Sequence, residues 1–427
     1  MDNKYLMMIS IDGLSELDFD YIKELPNFKK IIENSSYCRN VKSIYPSLTY
    51  PAHTSIVTGC YPYNHGIVNN TKIDLKRKNP DWFWYQKDVK RKSLFDIAKE
   101  NNKKTASLLW PVTAKGDISY NMPEIFSNRK YTNQIIVSAL SGSLMYQLKL
   151  NRLFGKLRNG LEEPNLGDFL QQCLLYTIKN YNADYTFVHF TGLDSLRHKY
   201  GFYDKRTFEE LKRDDKRLGE IIKALKNKNI FNETVFVILG DHSSIDVEKV
   251  IYLNSIFYKK GYITLKNNTI IDYKVLAKTC DGSSYIYIKD RSLTKEVEDI
   301  LYSLKNDEKS GIEEIYNNTY SLKFGFDKNA DYIIEAKKGY YFNDDIKDKY
   351  MENVENISDS EHKIFNSHGY SPDKGKYKTV FIVKANKIKK NFQIDKMSLV
   401  DIAPTISELL GYEMENTDGK ILKKVFI

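Results

Sequence analysis

Short apolar runs alternate with amphipathic stretches along most of the chain. Apolar runs with the length of buried strands occupy 7–11, 105–110, 185–190, 234–239 and 379–383, and 37–42 is a further candidate strand. Apolar residues recur at helical spacing, every three to four positions, within 15–34, 51–57, 93–100, 169–180, 208–225 and 399–410. Buried strands joined by helices are typical of a largely parallel sheet covered on both faces. The pattern therefore predicts an α/β core.

Two stretches interrupt this rhythm. Residues 121–163 are basic and show no clear strand–helix alternation, which predicts an insertion or lid. Within it, 135–150 is apolar but broken by Ser, Gly and Gln, which favours an amphipathic segment. Residues 249–361 are rich in Tyr, Lys and Asn and contain short strand-like runs, which predicts an inserted α/β subdomain. The catalytic core is then expected to comprise 1–248 and 362–427.

The composition excludes some classes of protein but does not indicate a function. Of 427 residues, 65 are Lys or Arg and 56 are Asp or Glu, for a net charge of +9, and 41% are hydrophobic. That apolar content excludes a disordered or fibrous chain. The basic residues are spread out and no nucleic-acid motif accompanies them, so no specific nucleic-acid recognition is expected. The basic insertion either attracts small anionic esters or is simply solvated. The oligomeric state cannot be predicted.

The cysteines and the N-terminus bear on location. Cys38, Cys60, Cys173 and Cys280 form no CxxC pair and match no disulfide framework, which favours free thiols in a reducing compartment. The apolar run at 5–11 is too short for a signal peptide, and no run approaches about 18 apolar residues, so no membrane span is expected. These observations predict a cytoplasmic location.

Carboxylates and imidazoles follow the predicted strands. The chain has only seven histidines. Candidate ligands at or near strand ends are Asp12, Asp194, His198, Asp241, His242 and His368. Ligands gather at the carboxyl ends of parallel strands, and mixed Asp and His ligands suit Zn²⁺, Mn²⁺ or iron. Six such groups exceed one tetrahedral site and fit two metals, which suits phosphoryl transfer.

Each of these motifs also has a purely structural explanation. Asp12-Gly13 is typical of a turn. Asp194 and His198, four residues apart, are compatible with a solvated helix face, and Asp241-His242 with a helix cap. Their joint occurrence, in order and mostly after apolar strands, favours a common site.

A longer set of motifs makes a family resemblance visible. It consists of Asp12-Gly13, Ser43–His53, Thr58–Asn70, Trp110-Pro111, Asp194–His198, Gly240–His242, His368 and 401–420. With these motifs the chain resembles the type I phosphodiesterase / nucleotide pyrophosphatase family of the alkaline phosphatase superfamily, over about residues 4–245 and 365–425. The resemblance implies an alkaline-phosphatase-like three-layer sandwich with a mostly parallel central sheet and an inserted subdomain. It also implies hydrolysis of phosphodiester or pyrophosphate bonds in small-molecule phosphate esters, through a covalent phosphothreonine.

The resemblance also implies residue roles. Thr49 would be the nucleophile and Asn70 an amide that supports a phosphoryl oxygen. One divalent ion would be held by Asp12, Asp241, His242 and the Thr49 oxygen, and the other by Asp194, His198 and His368. Zinc is expected, with manganese or iron as alternatives.

The resemblance also implies residues that contact the substrate, but some of these have a structural alternative. Tyr50 is a candidate to stack on a nucleobase. His189 stands where relatives often place an aromatic residue that holds the base, although a core histidine is an alternative. The aromatic run 82–85 either lines the approach to the site or packs in the core. His53 and His65 are expected to be structural, and His362 to be exposed.

Other functions remain open on the same fold. A phosphonate hydrolase, a phosphomonoesterase or a phosphomutase would use the same metal ligands. Mutases of this superfamily typically use Ser as the nucleophile, so Thr49 argues against that branch. A non-catalytic metal-dependent binding protein is the alternative from another class, and the complete set of ligands and nucleophile argues against it.

Overall fold

A computed structural model describes residues 3–75, 77, 79–129, 131–358 and 363–427. His362 therefore lies outside the described residues. The strands are β1 Tyr5–Ile11, β2 Ser36–Lys42, β3 Thr105–Leu108, β4 Tyr120–Met122, β5 Tyr185–Phe190, β6 Thr234–Leu239, β7 Ile245–Ile251, β8 Ile263–Lys266, β9 Thr269–Tyr273, β10 Val275–Cys280, β11 Ser283–Ile288, β12 Ile312–Asn317, β13 Tyr332–Ala336, β14 Gly339–Phe342, β15 Met351–Asn353, β16 Asn366–Ser367, β17 Thr379–Lys384, β18 Phe392–Gln393 and β19 Met397–Ser398. The α-helices are α1 Phe19–Ile22, α2 Pro26–Ile32, α3 Thr49–Thr58, α4 Pro62–His65, α5 Leu94–Glu100, α6 Gln134–Ser141, α7 Leu144–Phe154, α8 Asn165–Asn180, α9 Gly192–Tyr200, α10 Lys205–Asn227, α11 Leu253–Lys259, α12 Thr294–Asn306, α13 Ser321–Phe324 and α14 Ile402–Leu409.

The central sheet is mostly parallel. Its strand order is β18-β2-β17-β6-β1-β5-β3-β4, with β19 also paired to β2. Strand β1 lies between β5 and β6 and is parallel to both. Strand β17 runs antiparallel to both of its neighbours. The prediction of an α/β fold with a mostly parallel central sheet is confirmed.

Helices cover both faces of this sheet. Alternate residues of β1 enter two different apolar clusters: Leu6 and Met8 pack with α3, α5 and α14, whereas Met7 and Ile9 pack with α2, α8 and α10. This alternation follows from the two-residue period of a strand. The result is the expected three-layer sandwich.

One predicted helix is wrong in its extent. Residues 15–34 do not form a single helix, because α1 ends at Ile22 and α2 begins at Pro26. Proline cannot donate the backbone hydrogen bond of a helix interior, and the residue before it favours extended backbone. Leu25 accordingly has ψ 138°.

The two predicted insertions both contain regular structure. The segment 121–163 begins within β4, which pairs in parallel with β3 at the sheet edge, and continues through α6 and α7. The second region forms a separate antiparallel sheet of order β10-β11-β13-β12. Its apolar cluster runs from Val247 to Tyr377, beyond both ends of 249–361. The proposed domain boundaries stay a prediction.

Two further observations concern the whole described chain. Among the described residues, no helix is both long and apolar enough to span a bilayer. All four cysteines are buried free thiols.

Candidate active site

The carboxyl ends of β1, β5 and β6 bring the predicted site together. Ile11 pairs with Phe190, and Ser10 pairs with Leu239, so the three strands end at one level. The segments that follow these strands contain Asp12, Asp194 and Asp241. Gly13 makes the turn after β1 with φ +72°, and its N–H donates to Asp241 Oδ1 at 3.0 Å. A side chain at this position would lie 3.3 Å from Asp194 Oδ1, so the turn needs glycine.

Asp194, His198 and His368 form one potential metal-binding group. Their ligand atoms lie within 4.8 Å of one another. Helix α9 places Asp194 and His198 one turn apart, with Asp194 Oδ2 3.0 Å from His198 Nε2. The other ring nitrogen, His198 Nδ1, donates to the carbonyl of Asn366 at 2.7 Å. This backbone bond fixes the ring and presents Nε2 to the centre, as in many metal-ligating histidines.

Asp12, Asp194 and His242 form a second such group, also within 4.8 Å. Asp194 thus belongs to both groups. His242 Nε2 lies 3.4 Å from Asp12 Oδ1, 3.2 Å from Asp241 Oδ2 and 3.3 Å from Thr49 Oγ1. The structure therefore brings every sequence-predicted metal ligand into one cluster. The His242 and His368 rings stack at 4.0 Å and join the two groups.

The electrostatics of the cluster favour cations. Three buried oxygens, Asp12 Oδ1, Asp194 Oδ1 and Asp241 Oδ2, have no hydrogen-bond partner in the part of the chain that the structure describes. Burial and the charges of Asp241 and Asp194 raise the pKa of Asp12 well above its ordinary value. Burial likewise raises the pKa of Asp241 to about 6. Buried carboxylates that repel one another need positive charge, so this donor set fits divalent metal ions.

The imidazoles respond to the same surroundings. Burial lowers the pKa of His242 and of His368 to about 4 each, which leaves both rings neutral and available as ligands at neutral pH. Although burial opposes it, the charge of Asp194 raises the pKa of His198 to about 9. A metal ion would displace that proton, as metal binding to histidine generally does.

Thr49 is the first residue of α3, and its hydroxyl faces the cluster. Its carbonyl accepts a hydrogen bond from His53 Nδ1 at 2.8 Å, and His53 Nε2 accepts from the Ser10 hydroxyl at 2.9 Å. Burial lowers the pKa of His53 well below its ordinary value, so the ring is neutral and this proton arrangement holds. His53 ties the first turn of α3 to β1. His65, held by Ser55 and the Ile67 N–H, is structural too.

Asn70 lies beside the first turn of α3. Its Oδ1 accepts a hydrogen bond from the Tyr50 N–H at 3.0 Å. That bond orients the side-chain amide, whose nitrogen donates to no described residue. This leaves a half-buried amide donor beside the first turn of α3.

The proposed role of Tyr50 in substrate binding is wrong. Its side chain is 0% exposed and lies in an apolar cluster with Trp84, Val112 and Ile125. Trp82 packs edge-on against the Tyr50 ring at 5.1 Å. A fully covered ring cannot stack on a ligand. The aromatic run 82–85 thus packs in the core rather than lining the approach to the site.

His189 is also buried, at 0% exposure, and does not face a substrate. Its Nε2 lies 3.1 Å from Asp12 Oδ2, and its Nδ1 lies 3.3 Å from Glu124 Oε2. Although burial opposes it, these two carboxylates raise the pKa of His189 well above its ordinary value. His189 therefore positions Asp12, and the expectation of a base-binding residue is wrong.

Sequence reasoning missed Glu124. It lies in the loop after β4, far in sequence from β1 and β5, and nothing local distinguishes it from a solvated acid. Asp281 was missed for the same reason: it comes from the hairpin between β10 and β11, and its Oδ2 lies 3.8 Å from His368 Nδ1.

Replacing Glu124 by Gln should lower kcat about 10- to 100-fold, the usual cost of losing a residue that orients a metal ligand. The change keeps the side-chain shape and removes the charge that holds the His189–Asp12 pair. Metal content, measured in parallel, should fall at one of the two sites. Glu162→Gln, at an exposed position in the same insertion, is the matched control and should leave both quantities unchanged. Full activity with full metal content in Glu124→Gln would contradict the positioning role.

The fold and the site together define a class: an alkaline-phosphatase-like α/β protein with a metal-binding cluster and an adjacent threonine. Comparison with known families agrees. The family model "Type I phosphodiesterase / nucleotide pyrophosphatase" matches residues 6–371, which is most of the chain. The chain belongs to this family, and the family is metal-dependent.

Curated relatives and solved structures are consistent with this membership. Human ectonucleotide pyrophosphatase/phosphodiesterase family member 1 is 26% identical over 264 residues, which are 58% of this chain and 24% of that protein. Bovine bis(5'-adenosyl)-triphosphatase ENPP4 is 25% identical over 313 residues, 67% of this chain and 60% of that protein. The chain thus spans about a quarter to three fifths of these relatives. Murine ectonucleotide pyrophosphatase/phosphodiesterase 5 shares the fold with a TM-score of 0.67 at 17% identity, over 97% of both chains.

Proposed function

We propose that this chain is a phosphodiesterase or nucleotide pyrophosphatase that works through a phosphothreonine at Thr49. The observation that carries the proposal is the position of Thr49 Oγ1, 3.3 Å from His242 Nε2 at the edge of the buried, unpartnered carboxylate oxygens. Family membership and the names of the relatives support it. A solved relative, murine ectonucleotide pyrophosphatase/phosphodiesterase 5, is described in an inactive threonine-to-alanine form in complex with AMP.

Each of these residues has a separate role in the proposed reaction. Thr49 Oγ attacks phosphorus, an O–P bond forms, and the bond to the leaving alcohol or phosphate breaks. Asn70 holds a phosphoryl oxygen as charge develops there. Water then cleaves the phosphothreonine and restores the Thr49 hydroxyl. His53 keeps the first turn of α3 in place throughout, and His189 keeps Asp12 oriented.

Two divalent ions complete this proposal. Asp194, His198 and His368 would hold one, and Asp12, Asp241, His242 and the Thr49 oxygen the other, with Asp194 close enough to both groups to be shared between the two ions. Bound there, they would activate the hydroxyl and the water and neutralise the phosphate. Zinc is the proposed metal, because a mixed Asp and His donor set suits it. The cytoplasmic location expected from the cysteines is likewise a proposal, which cell fractionation tests.

A substrate panel tests the proposed activity. The metal-loaded protein should hydrolyse bis(p-nitrophenyl) phosphate faster than p-nitrophenyl phosphate, with dinucleotides, nucleoside triphosphates, lipid-headgroup diesters and phosphonates compared in parallel. Chelation should abolish turnover, and Zn²⁺ or Mn²⁺ should restore it. A preference for the monoester or for a phosphonate would instead select one of the alternative reactions on this fold. Bound metal with no turnover on any member would favour the non-catalytic binding protein.

A further inference from the structure

An exposed apolar surface lies on the α6–α7 hairpin. Ten of the eighteen large hydrophobic side chains exposed in the described structure fall between 131 and 161. The hairpin surface, as named here, consists of Ile135, Ile136, Leu140, Leu144, Met145, Leu148, Leu153, Leu157 and Leu161. Isolated exposed apolar residues are normal on soluble proteins, but a concentrated group of this kind marks an interaction site.

These side chains do not hold the hairpin in place. The opposite face of α7 carries Tyr146 and Leu150, which are buried in the cluster beneath the sheet. The Tyr146 hydroxyl also bonds to Thr177 Oγ1 at 2.7 Å. On the outer face, Leu140 is 71% exposed and Met145 is 75% exposed. The hairpin therefore has an anchored inner face and an apolar outer face without a partner in the described chain.

The charged residues of this segment are all basic. Residues 125–161 contain six Lys or Arg and no Asp or Glu. Among the described residues, Lys149, Arg152 and Lys156 form no ion pair, and all three are exposed. They lie on or just after α7, interleaved with Leu148, Leu153 and Leu157 along the same outer face. Apolar and basic side chains mixed on one helical surface are typical of a segment that lies in the headgroup region of a membrane.

The hairpin surface also lies beside the active site. A cavity of about 240 Å³ opens beneath it, lined on the outer side by Ile135, Leu148 and Leu161. On the inner side the same cavity reaches Glu124 and Thr191. Glu124 contacts His189, which lies 3.1 Å from Asp12, so this cavity links the hairpin surface to the cluster of predicted metal ligands.

We propose that the hairpin surface docks on a membrane that contains anionic lipids. The leucine, isoleucine and methionine side chains enter the boundary between headgroups and acyl chains, and the basic residues neutralise acidic headgroups. The active site is then held at the lipid surface. A second copy of the chain is a poorer partner, because a two-fold contact between identical surfaces would bring these unpaired cations together.

Vesicle co-sedimentation tests this docking. The full chain should bind vesicles of phosphatidylcholine with about one third phosphatidylglycerol, and bind pure phosphatidylcholine vesicles at least about ten-fold more weakly. Binding to the anionic vesicles should weaken as salt rises from about 0.05 to 0.5 M, because salt screens the attraction.

Two sets of variants separate the apolar and the basic contributions. Lys149→Gln, Arg152→Gln and Lys156→Gln together should lower vesicle affinity about a hundred-fold, since each Lys or Arg near the membrane surface contributes about 1 kcal/mol to binding. Ile136→Ser, Leu140→Ser and Met145→Ser together should lower it about ten-fold or more. Control variants change exposed residues of the same kind elsewhere: Lys205, Lys216 and Lys223 to Gln, and Ile73, Ile271 and Leu322 to Ser.

Activity on a soluble chromogenic diester should be the same in all four variants, which shows that the fold is intact. Control variants that lose vesicle binding as much as the hairpin variants would overturn the proposal. So would a wild-type chain that does not sediment with anionic vesicles. Analytical ultracentrifugation completes the test: a dimer that the Ser variant of the hairpin abolishes would identify the surface as a self-association face and exclude docking on lipid.

Discussion

Replacing Thr49 by Ala should lower kcat for bis(p-nitrophenyl) phosphate by at least about a thousand-fold, because the change removes the atom that forms the bond to phosphorus. The fold should survive. The residue that caps α3 is Leu48, and no side-chain capping bond is lost with the threonine hydroxyl. Among the described residues, the hydroxyl's hydrogen bond is the one with His242 Nε2, at 3.3 Å. Thermal unfolding of the metal-free variant should therefore match that of the wild type.

Two variants and one direct measurement make this prediction specific. Thr49→Ser keeps a hydroxyl in place and should retain most of the activity. Thr54→Ala, five residues later on α3, removes a hydroxyl that bonds to the Tyr50 carbonyl and to no other described group, and should change kcat by no more than a few-fold. Rapid quenching followed by mass spectrometry should find the phosphoryl group on Thr49. An active Thr49→Ala protein, or a phosphoryl group on another residue, would exclude this mechanism.

The strands of the core could be predicted closely from the sequence, whereas one helix could not. The apolar runs at 185–190 and 234–239 coincide with β5 and β6, because strands buried on both faces are continuously apolar. The helix expected at 15–34 is interrupted at Pro26. The helical spacing of apolar residues continues through this position, but proline cannot donate the backbone hydrogen bond that a continuous helix needs. Hydrophobic periodicity reports which face is buried, and it does not report whether each peptide can donate its hydrogen bond.

The metal ligands could be predicted for a related reason. Asp12, Asp194 and Asp241 follow strands, so the topology of a parallel sheet brings them together without any knowledge of side-chain packing. His368 could be predicted only as lying near the end of a core strand, because it in fact follows the short strand β16, which pairs with β7 rather than with the central sheet.

The surroundings of the ligands could not be predicted. The burial of Tyr50 depends on Trp82 and Trp84, and the role of His189 depends on Glu124. These partners come from distant loops, and no spacing in the sequence connects them. The errors at Tyr50 and His189 share one cause, since the family pattern identifies a position and the local packing decides what that position contacts.

Replacing Asp194 by Ala should have the second largest effect, because this carboxylate belongs to both potential metal-binding groups. Its Oδ2 lies 3.0 Å from His198 Nε2, and its Oδ1 is buried without a partner in the described chain. Loss of a shared ligand should lower the metal content below one ion per chain and kcat by about a thousand-fold, equivalent to about 4 kcal/mol of transition-state stabilisation.

Asp12→Ala and His198→Ala provide the comparison, since each of these residues belongs to one group only. Each single variant should keep about one ion per chain, measured by inductively coupled plasma mass spectrometry after dialysis against a metal buffer. Unfolding of the metal-free proteins distinguishes loss of a ligand from loss of the fold. Removing Asp194 relieves the repulsion that raises the pKa of Asp12, but it also removes the carboxylate that lies 3.0 Å from His198 and raises the pKa of that ring. If Asp194→Ala retained as much metal as Asp12→Ala, Asp194 would serve one ion only, and the two ions would be held independently.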